Sequence, residues 1–377
     1  MAGIYIHIPF CKQACHYCDF HFSTNVERQS EMVDMLCKEI SLQQKFLSGE
    51  VIDTIYFGGG TPSLLSPAEL SALLETLHKY HAVNVSSEIT LEANPDDLSF
   101  EKLIGFRKAG INRLSIGIQS FHDETLIRLN RVHDGALARE SITNAYRAGF
   151  DNISIDLIYA IPWQDDEAWK SNVREAMQFH PQHISAYSLT IEEKTAFGRW
   201  ASQGSFRSMD DDNAATQLQS LVEMLAIGKY EQYEVSNFCL PGFMSVHNSN
   251  YWHDKKYLGI GPGAHSYSGV SRQHNVSNNN LYISKLRNSE IPATIEILSP
   301  EDKINEYLLT SLRTSWGVDL MKLRKEHGLD LALTHETYLA NLKTNGLATI
   351  REEKFVLTQK GKLLADKIAS DLFVVPA

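Results

Sequence analysis

Short apolar runs alternate with amphipathic stretches through the first half of the chain. The runs fall at residues 4–8, 54–57, 88–93, 113–118, 152–158 and 183–189. Their β-branched and aromatic content reads as buried parallel strands. Between them the apolar positions take up helical spacing, as in Val33-Leu36-Cys37-Ile40 and Leu70-Leu73-Leu74-Leu77. Ser66 followed by Pro67 supplies a hydroxyl cap and a first-turn proline for the second of these helices. Strand–helix alternation repeated six times predicts a parallel β/α fold, open-twisted or barrel-like, and strand count alone does not choose between the two.

Past residue 190 the rhythm breaks. The spacing predicts a helix over 211–227, followed by a Gly-, Asn- and Ser-rich stretch over 235–280 with many aromatics and histidines. That stretch reads as a long, ordered, functional loop. From about residue 299, helical patterns lead into two short β-runs around a polar turn at 351–354, and a last amphipathic helix closes the chain. The pattern divides the chain into a β/α core (1–195), an elaboration (196–298) and a smaller, winged-helix-like C-terminal domain (299–377). Such units often bind DNA, but residues 305–377 hold 10 Lys/Arg against 9 Asp/Glu. That balance is too weak for a duplex-binding face, so the unit reads as a scaffold or interaction domain.

Composition narrows the class. The chain has 377 residues, 43% hydrophobic and 21% charged, enough to bury a large core and to exclude disordered and fibrous classes. A formal net charge of −11 argues against a nucleic-acid partner, since phosphate attraction needs clustered Lys and Arg. No basic leader precedes an apolar stretch, and no uncharged run approaches the roughly 20 residues of a membrane helix. The expectation is a cytoplasmic protein without stable membrane insertion.

Five cysteines in a chain this long do not make a disulfide framework. Cys37 and Cys239 stand alone and read as small buried hydrophobes. Cys11, Cys15 and Cys18 crowd into eight residues directly after the first strand. Three thiolates on one loop suit soft metals. Two occupants remain open: zinc, with His7, His16 or His21 as fourth ligand, and a [4Fe–4S] cluster with one iron free of protein thiolate.

Other chemistry-bearing residues recur at strand ends. Gly58-Gly59-Gly60-Thr61-Pro62 follows the second strand, where a glycine run lets backbone groups approach a ligand closely. Glu92 ends the third strand, Gln119 and Ser120 the fourth, with Arg131 some 12 residues on; Asp156 and Tyr187 lie near the ends of the fifth and sixth. Each could singly be a cap or a solvated loop residue. Together they mark the carboxyl-end face, where β/α folds assemble their sites.

The stretch Tyr5-Ile6-His7-Ile8-Pro9-Phe10-Cys11-x-x-x-Cys15-x-x-Cys18 resembles the radical S-adenosylmethionine (SAM) superfamily. The resemblance implies an α/β fold with a partial (β/α)6 barrel, a [4Fe–4S] cluster on Cys11, Cys15 and Cys18, and SAM chelated to the open iron. One electron from the cluster, supplied by a donor, then cleaves a carbon–sulfur bond of SAM to give a 5′-deoxyadenosyl radical. By the same resemblance Tyr5, Gly59, Gly60, Thr61, Glu92, Gln119, Arg131 and Asp156 contact SAM.

Within the superfamily the chain resembles the group that holds oxygen-independent coproporphyrinogen III dehydrogenase and its heme-chaperone relatives. The dehydrogenase pattern has a further cysteine two residues after the triad, where this sequence has Phe20, and a long N-terminal extension, whereas here the triad begins ten residues into the chain. His247-Asn248-Ser249-Asn250-Tyr251-Trp252 matches the HNxxYW pattern of the chaperones. Imidazole is a usual axial ligand of heme iron, and Tyr and Trp offer flat apolar surface. The resemblance therefore implies heme contact through His247, with His265 as the alternative, and heme-accepting proteins as partners.

Overall fold

The computed structural model describes residues 2–375. Six parallel strands come first: β1 (Ala2–Ile8), β2 (Ile52–Gly59), β3 (Val83–Ala93), β4 (Arg113–Gln119), β5 (Ile153–Tyr159) and β6 (His183–Ser188). They pair in sequence order, with helices crossing between them. The predicted helix starts hold: Ser66 and Glu69 form a reciprocal capping box ahead of Pro67. The helix over Asp211–Ile227 has the bounds its spacing predicts.

Each strand presents two chemically different faces. On β1, Ile4, Ile6 and Ile8 are buried under helices; on β4 and β5, Leu114, Ile116, Ile153, Ile155 and Leu157 do the same. The intervening residues are polar. Register brings Tyr5 beside Tyr56, Thr90 beside Arg113, Glu92 beside Ser115, Ser154 beside His183 and Asp156 beside Ser185. The strands curl around this polar side, as an open barrel.

The stretch 235–280 departs from its reading as a loop. It contributes β8 (Asn237–Cys239), β9 (Tyr257–Ile260), β10 (His265–Tyr267) and β11 (Ser271–Asn275); β7 (Glu231–Glu234) and β12 (Ala293–Ile297) flank them. These extend the barrel sheet at both edges, giving the order β12-β11-β10-β9-β1-β2-β3-β4-β5-β6-β8-β7. Strands of three to five residues leave almost no periodic trace, and the parallel pairing of β9 with β1 joins segments some 250 residues apart.

The C-terminal segment builds a second, separate core around Leu308, Leu312, Leu323, Phe355 and Leu372. Its short strands β13 (Val318–Asp319), β14 (Ala348–Arg351) and β15 (Lys354–Leu357) form a three-stranded sheet in the order β13-β15-β14, the layout of a winged helix. No helix among the described residues is long and apolar enough to cross a membrane.

Candidate functional site

The carboxyl ends of the strands open onto one cavity of about 480 Å³. Ten of the predicted site residues line it: Cys11, Cys15, Cys18, Gly59, Gly60, Thr61, Glu92, Gln119, Arg131 and Asp156. Tyr187 and Phe20 line it too, Phe20 being 67% exposed at its rim.

The cysteine loop is tied down on several sides. The Cys11 amide donates to the Ser23 carbonyl, the His16 amide to the Leu129 carbonyl, and Gln13 Nε2 to Asn130 Oδ1 at 2.7 Å. Lys12 reaches Asp96 at 2.7 Å and Asp97 at 2.5 Å. Thr61 Oγ1 donates to Cys11 Sγ and an Arg131 nitrogen to Cys15 Sγ, each at 3.4 Å. Burial pushes the Cys11 thiol up to about 11 and the Cys18 thiol to about 12, so thiolates form here only against a positive occupant. All three thiols are free. That donor set, three soft ligands on one cavity with a cation among the neighbours, fits an iron–sulfur cluster.

For zinc, His7 is the poorest of the three fourth-ligand candidates, with Nδ1 3.1 Å from Tyr5 OH and Nε2 2.8 Å from the His21 carbonyl. His16 and His21 are each held at one ring nitrogen, by the Arg128 carbonyl at 3.0 Å and Asn279 Oδ1 at 2.8 Å. Among the described residues no group of three or more His, Cys, Asp or Glu side chains is gathered as for a single metal ion.

The glycine run packs the barrel as well as lining it. A Cβ on Gly60 would stand 2.6 Å from the Phe10 carbonyl and 3.0 Å from Cys11 Sγ; one on Gly59, whose φ is +109°, would run into the His7 ring. Gly60→Ala is therefore expected to lower stability by roughly 1–3 kcal/mol and to displace the cysteine loop. Urea denaturation paired with iron analysis after reconstitution checks both effects.

Two carboxylates, Glu92 on β3 and Asp156 on β5, line the cavity on either side of β4. Glu92 accepts from Tyr56 OH at 2.8 Å and from the Gly59 amide at 3.3 Å; Asp156 accepts from Ser115 Oγ at 3.1 Å. Burial raises Glu92 to about 7 and Asp156 to about 6. Arg113 enters the same wall, 1% exposed, and its closest carboxylate is Glu88 at 3.9 Å. Asp19, Glu92, Asp156 and Glu192 against Arg113 and Arg131 leave the lining with an acidic excess, suited to a cation. Arg131 spans Asn94 Oδ1 and the Gly117 carbonyl at 2.7 and 2.8 Å, beside Gln119, whose φ of +64° marks strain at the end of β4.

Four expected residues stand elsewhere. Tyr5 does not line the cavity; its hydroxyl meets His7 Nδ1 at 3.1 Å. Ser120 is buried against Asn172. His265 is exposed on β10, at the sheet's extension. His247 is 2% exposed inside the barrel, with Nδ1 2.8 Å from Thr54 Oγ1 and Nε2 2.9 Å from Tyr251 OH. Both ring nitrogens are engaged, so in this conformation the imidazole offers no lone pair to a heme iron. Isolated Cys239 is buried as expected, while Cys37 is only half-buried.

Tyr56, Asn94, Arg113, Ser115, Ser185 and Asn248 also line the cavity and went unassigned in the sequence. A signal existed for half of them: in Arg113-x-Ser115-x-Gly117, Ser154-x-Asp156 and His183-x-Ser185-x-Tyr187 the polar residues fall at every second position of an otherwise apolar strand.

The profile of the Radical SAM superfamily matches residues 5–176, and that of the HemN C-terminal domain matches residues 298–364. The heme chaperone HemW of Bacillus subtilis (strain 168) is 34% identical over 372 residues, 98% of each chain. The protein of the same name from Lactococcus lactis subsp. lactis is 35% identical over 366 residues, 97% of this chain and 95% of its own. Among solved structures, the coproporphyrinogen III oxidase HemN of Escherichia coli superposes with a TM-score of 0.85 over 99% of this chain and 90% of that one. At 23% identity this last likeness establishes the fold alone.

Proposed function

The chain belongs to the radical SAM superfamily and, within it, to the family of the HemW proteins, and we propose that it is a heme chaperone: it binds a [4Fe–4S] cluster, SAM and heme, and hands heme to acceptor proteins. The observation that carries the reading is the near-full-length similarity to proteins named heme chaperones, joined to a cavity whose walls suit the cofactors. Cys11, Cys15 and Cys18 would hold the cluster. When bound, the cluster supplies one electron at a time. Glu92 and Asp156 take the positive and hydroxyl-bearing parts of SAM, Gly59, Gly60 and Thr61 meet it with backbone and hydroxyl groups, and Arg131 with Gln119 receives its carboxylate or ribose.

The second reading is oxidative decarboxylation of coproporphyrinogen III, favoured by the fold shared with HemN. Phe20 speaks against it by its position and its chemistry. An exposed phenyl ring stands at the rim, where the dehydrogenase pattern has a cysteine. Incubating the reconstituted protein anaerobically with coproporphyrinogen III, SAM and a reductant should yield no protoporphyrinogen IX. Product formed at more than one turnover would replace the chaperone reading with the enzymatic one. The electron donor and the heme acceptors are partners the proposal requires.

A further inference from the structure

The HNxxYW segment is neither a loop nor a surface patch. It is the short helix Val246–Trp252, packed on β1 and β2 with His247 and Ser249 buried. The amides of Val246 and His247 donate to the Glu88 carboxylate at 3.1 and 2.9 Å, which ties the start of the helix to β3. The His247 ring then stacks on Tyr56, centroids 5.0 Å apart, and is fixed at both nitrogens by Thr54 and Tyr251. Tyr251 is one helical turn on, on the same face. The strand below is shaped for this ring: a Cβ on Gly3 would lie 2.8 Å from Thr54 Oγ1 and 3.2 Å from the imidazole.

The next residue points differently. Successive helical positions diverge by about 100°, so a helix that sets His247 down onto β1 and β2 turns Asn248 elsewhere. Asn248 lines the cavity that Glu92 and Asp156 also line. Among the described residues its side-chain amide has no hydrogen-bond partner, so it offers one donor and one acceptor group to whatever fills the cavity.

We propose that Asn248 is a SAM-binding residue on the inner wall of the cavity, and that His247 is the positioning residue that holds it there rather than a heme ligand. The neutral amide suits the ribose hydroxyls or the adenine edge, leaving the charged groups of SAM to Glu92, Asp156 and Arg131. Burial also depresses His247 to about 3, so the ring stays neutral and keeps its bonds throughout the physiological range. The inference rests on the reading of this cavity as a SAM site.

The test uses the full-length, cluster-reconstituted protein, with SAM affinity by calorimetry and the Soret band after heme loading. Asn248→Ala should weaken SAM binding about three- to tenfold, the worth of one neutral hydrogen bond. Thr54→Val, which removes only the partner of His247 Nδ1, should weaken it similarly, and Thr54→Ser should restore it. His247→Phe keeps the ring and loses both bonds; it should lower SAM affinity while the Soret maximum stays at the wild-type position. If His247→Phe does not fold, the Thr54 pair and Asn248→Ala decide. Wild-type SAM affinity in Asn248→Ala would overturn the contact. A Soret shift in His247→Phe with no change in Thr54→Val would make His247 an iron ligand and overturn the positioning role. A wild-type protein that binds no SAM would fail at the cavity reading itself, and the inference would fall with it.

Discussion

Cys15→Ser protein, reconstituted anaerobically with iron and sulfide, is expected to retain on the order of a tenth or less of the wild-type iron and to lose the absorbance near 400 nm. The size of the effect follows from the surroundings of the triad. The thiols of Cys11 and Cys18 are pushed far above neutrality by burial. Ionising them is favourable only when a strongly positive group is bound, and each thiolate removed weakens that group's hold on the rest. A serine hydroxyl is a harder, less acidic ligand and does not substitute. Cys37→Ser is the control, since Cys37 lies outside the cavity. Full iron and sulfide content in Cys15→Ser would exclude the three-thiolate cluster.

Glu92→Gln should weaken SAM binding to the reconstituted protein by about ten- to hundredfold, the range of a charge-assisted hydrogen bond worth roughly 1.5–3 kcal/mol. The substitution keeps the shape and removes the charge. It should also change the pH dependence. Glu92 is raised to about 7 and Asp156 to about 6, in both cases chiefly by burial. Each carboxylate is charged above its own value and neutral below it. A cationic ligand therefore binds best above pH 7 and loses affinity in two overlapping steps as the pH falls to about 5.5. Glu92→Gln should lack the upper step and keep the lower one, set by Asp156. Calorimetric titrations at several pH values read both the affinity and the profile. Unchanged affinity at pH 8 would remove Glu92 from the site.

The parts of this fold that were legible in the sequence are those with long, single-period signals. Six strands and the helices between them follow from runs such as Ile153-Ser154-Ile155 and from the spacing of Leu70, Leu73 and Leu77. The Ser66 cap is visible because Pro67 follows it at the first helical position. The cysteine triad and the strand-end residues share one cavity because the carboxyl ends of parallel strands converge there.

What escaped has physical reasons. Arg113, Ser115 and Ser185 hide inside apolar strands because a barrel has an inner face, and a run read as uniformly buried conceals it. The stretch 235–280 looked like a loop because β8 to β11 are too short to show a period, and β8 and β9 pair with distant segments. His247 carried the motif's chemistry on paper, yet its placement depends on Thr54, nearly 200 residues earlier. No local pattern reports such a contact.

Heme transfer tests the central claim most directly. The reconstituted protein, loaded with one equivalent of heme and freed of excess, is mixed with an apo-hemoprotein whose Soret maximum differs from its own. The loaded protein should show a Soret band that decays as the acceptor's band grows, with isosbestic behaviour and faster than release to buffer. A protein that takes up no stoichiometric heme, or that passes heme on no faster than it leaks into solution, would contradict it.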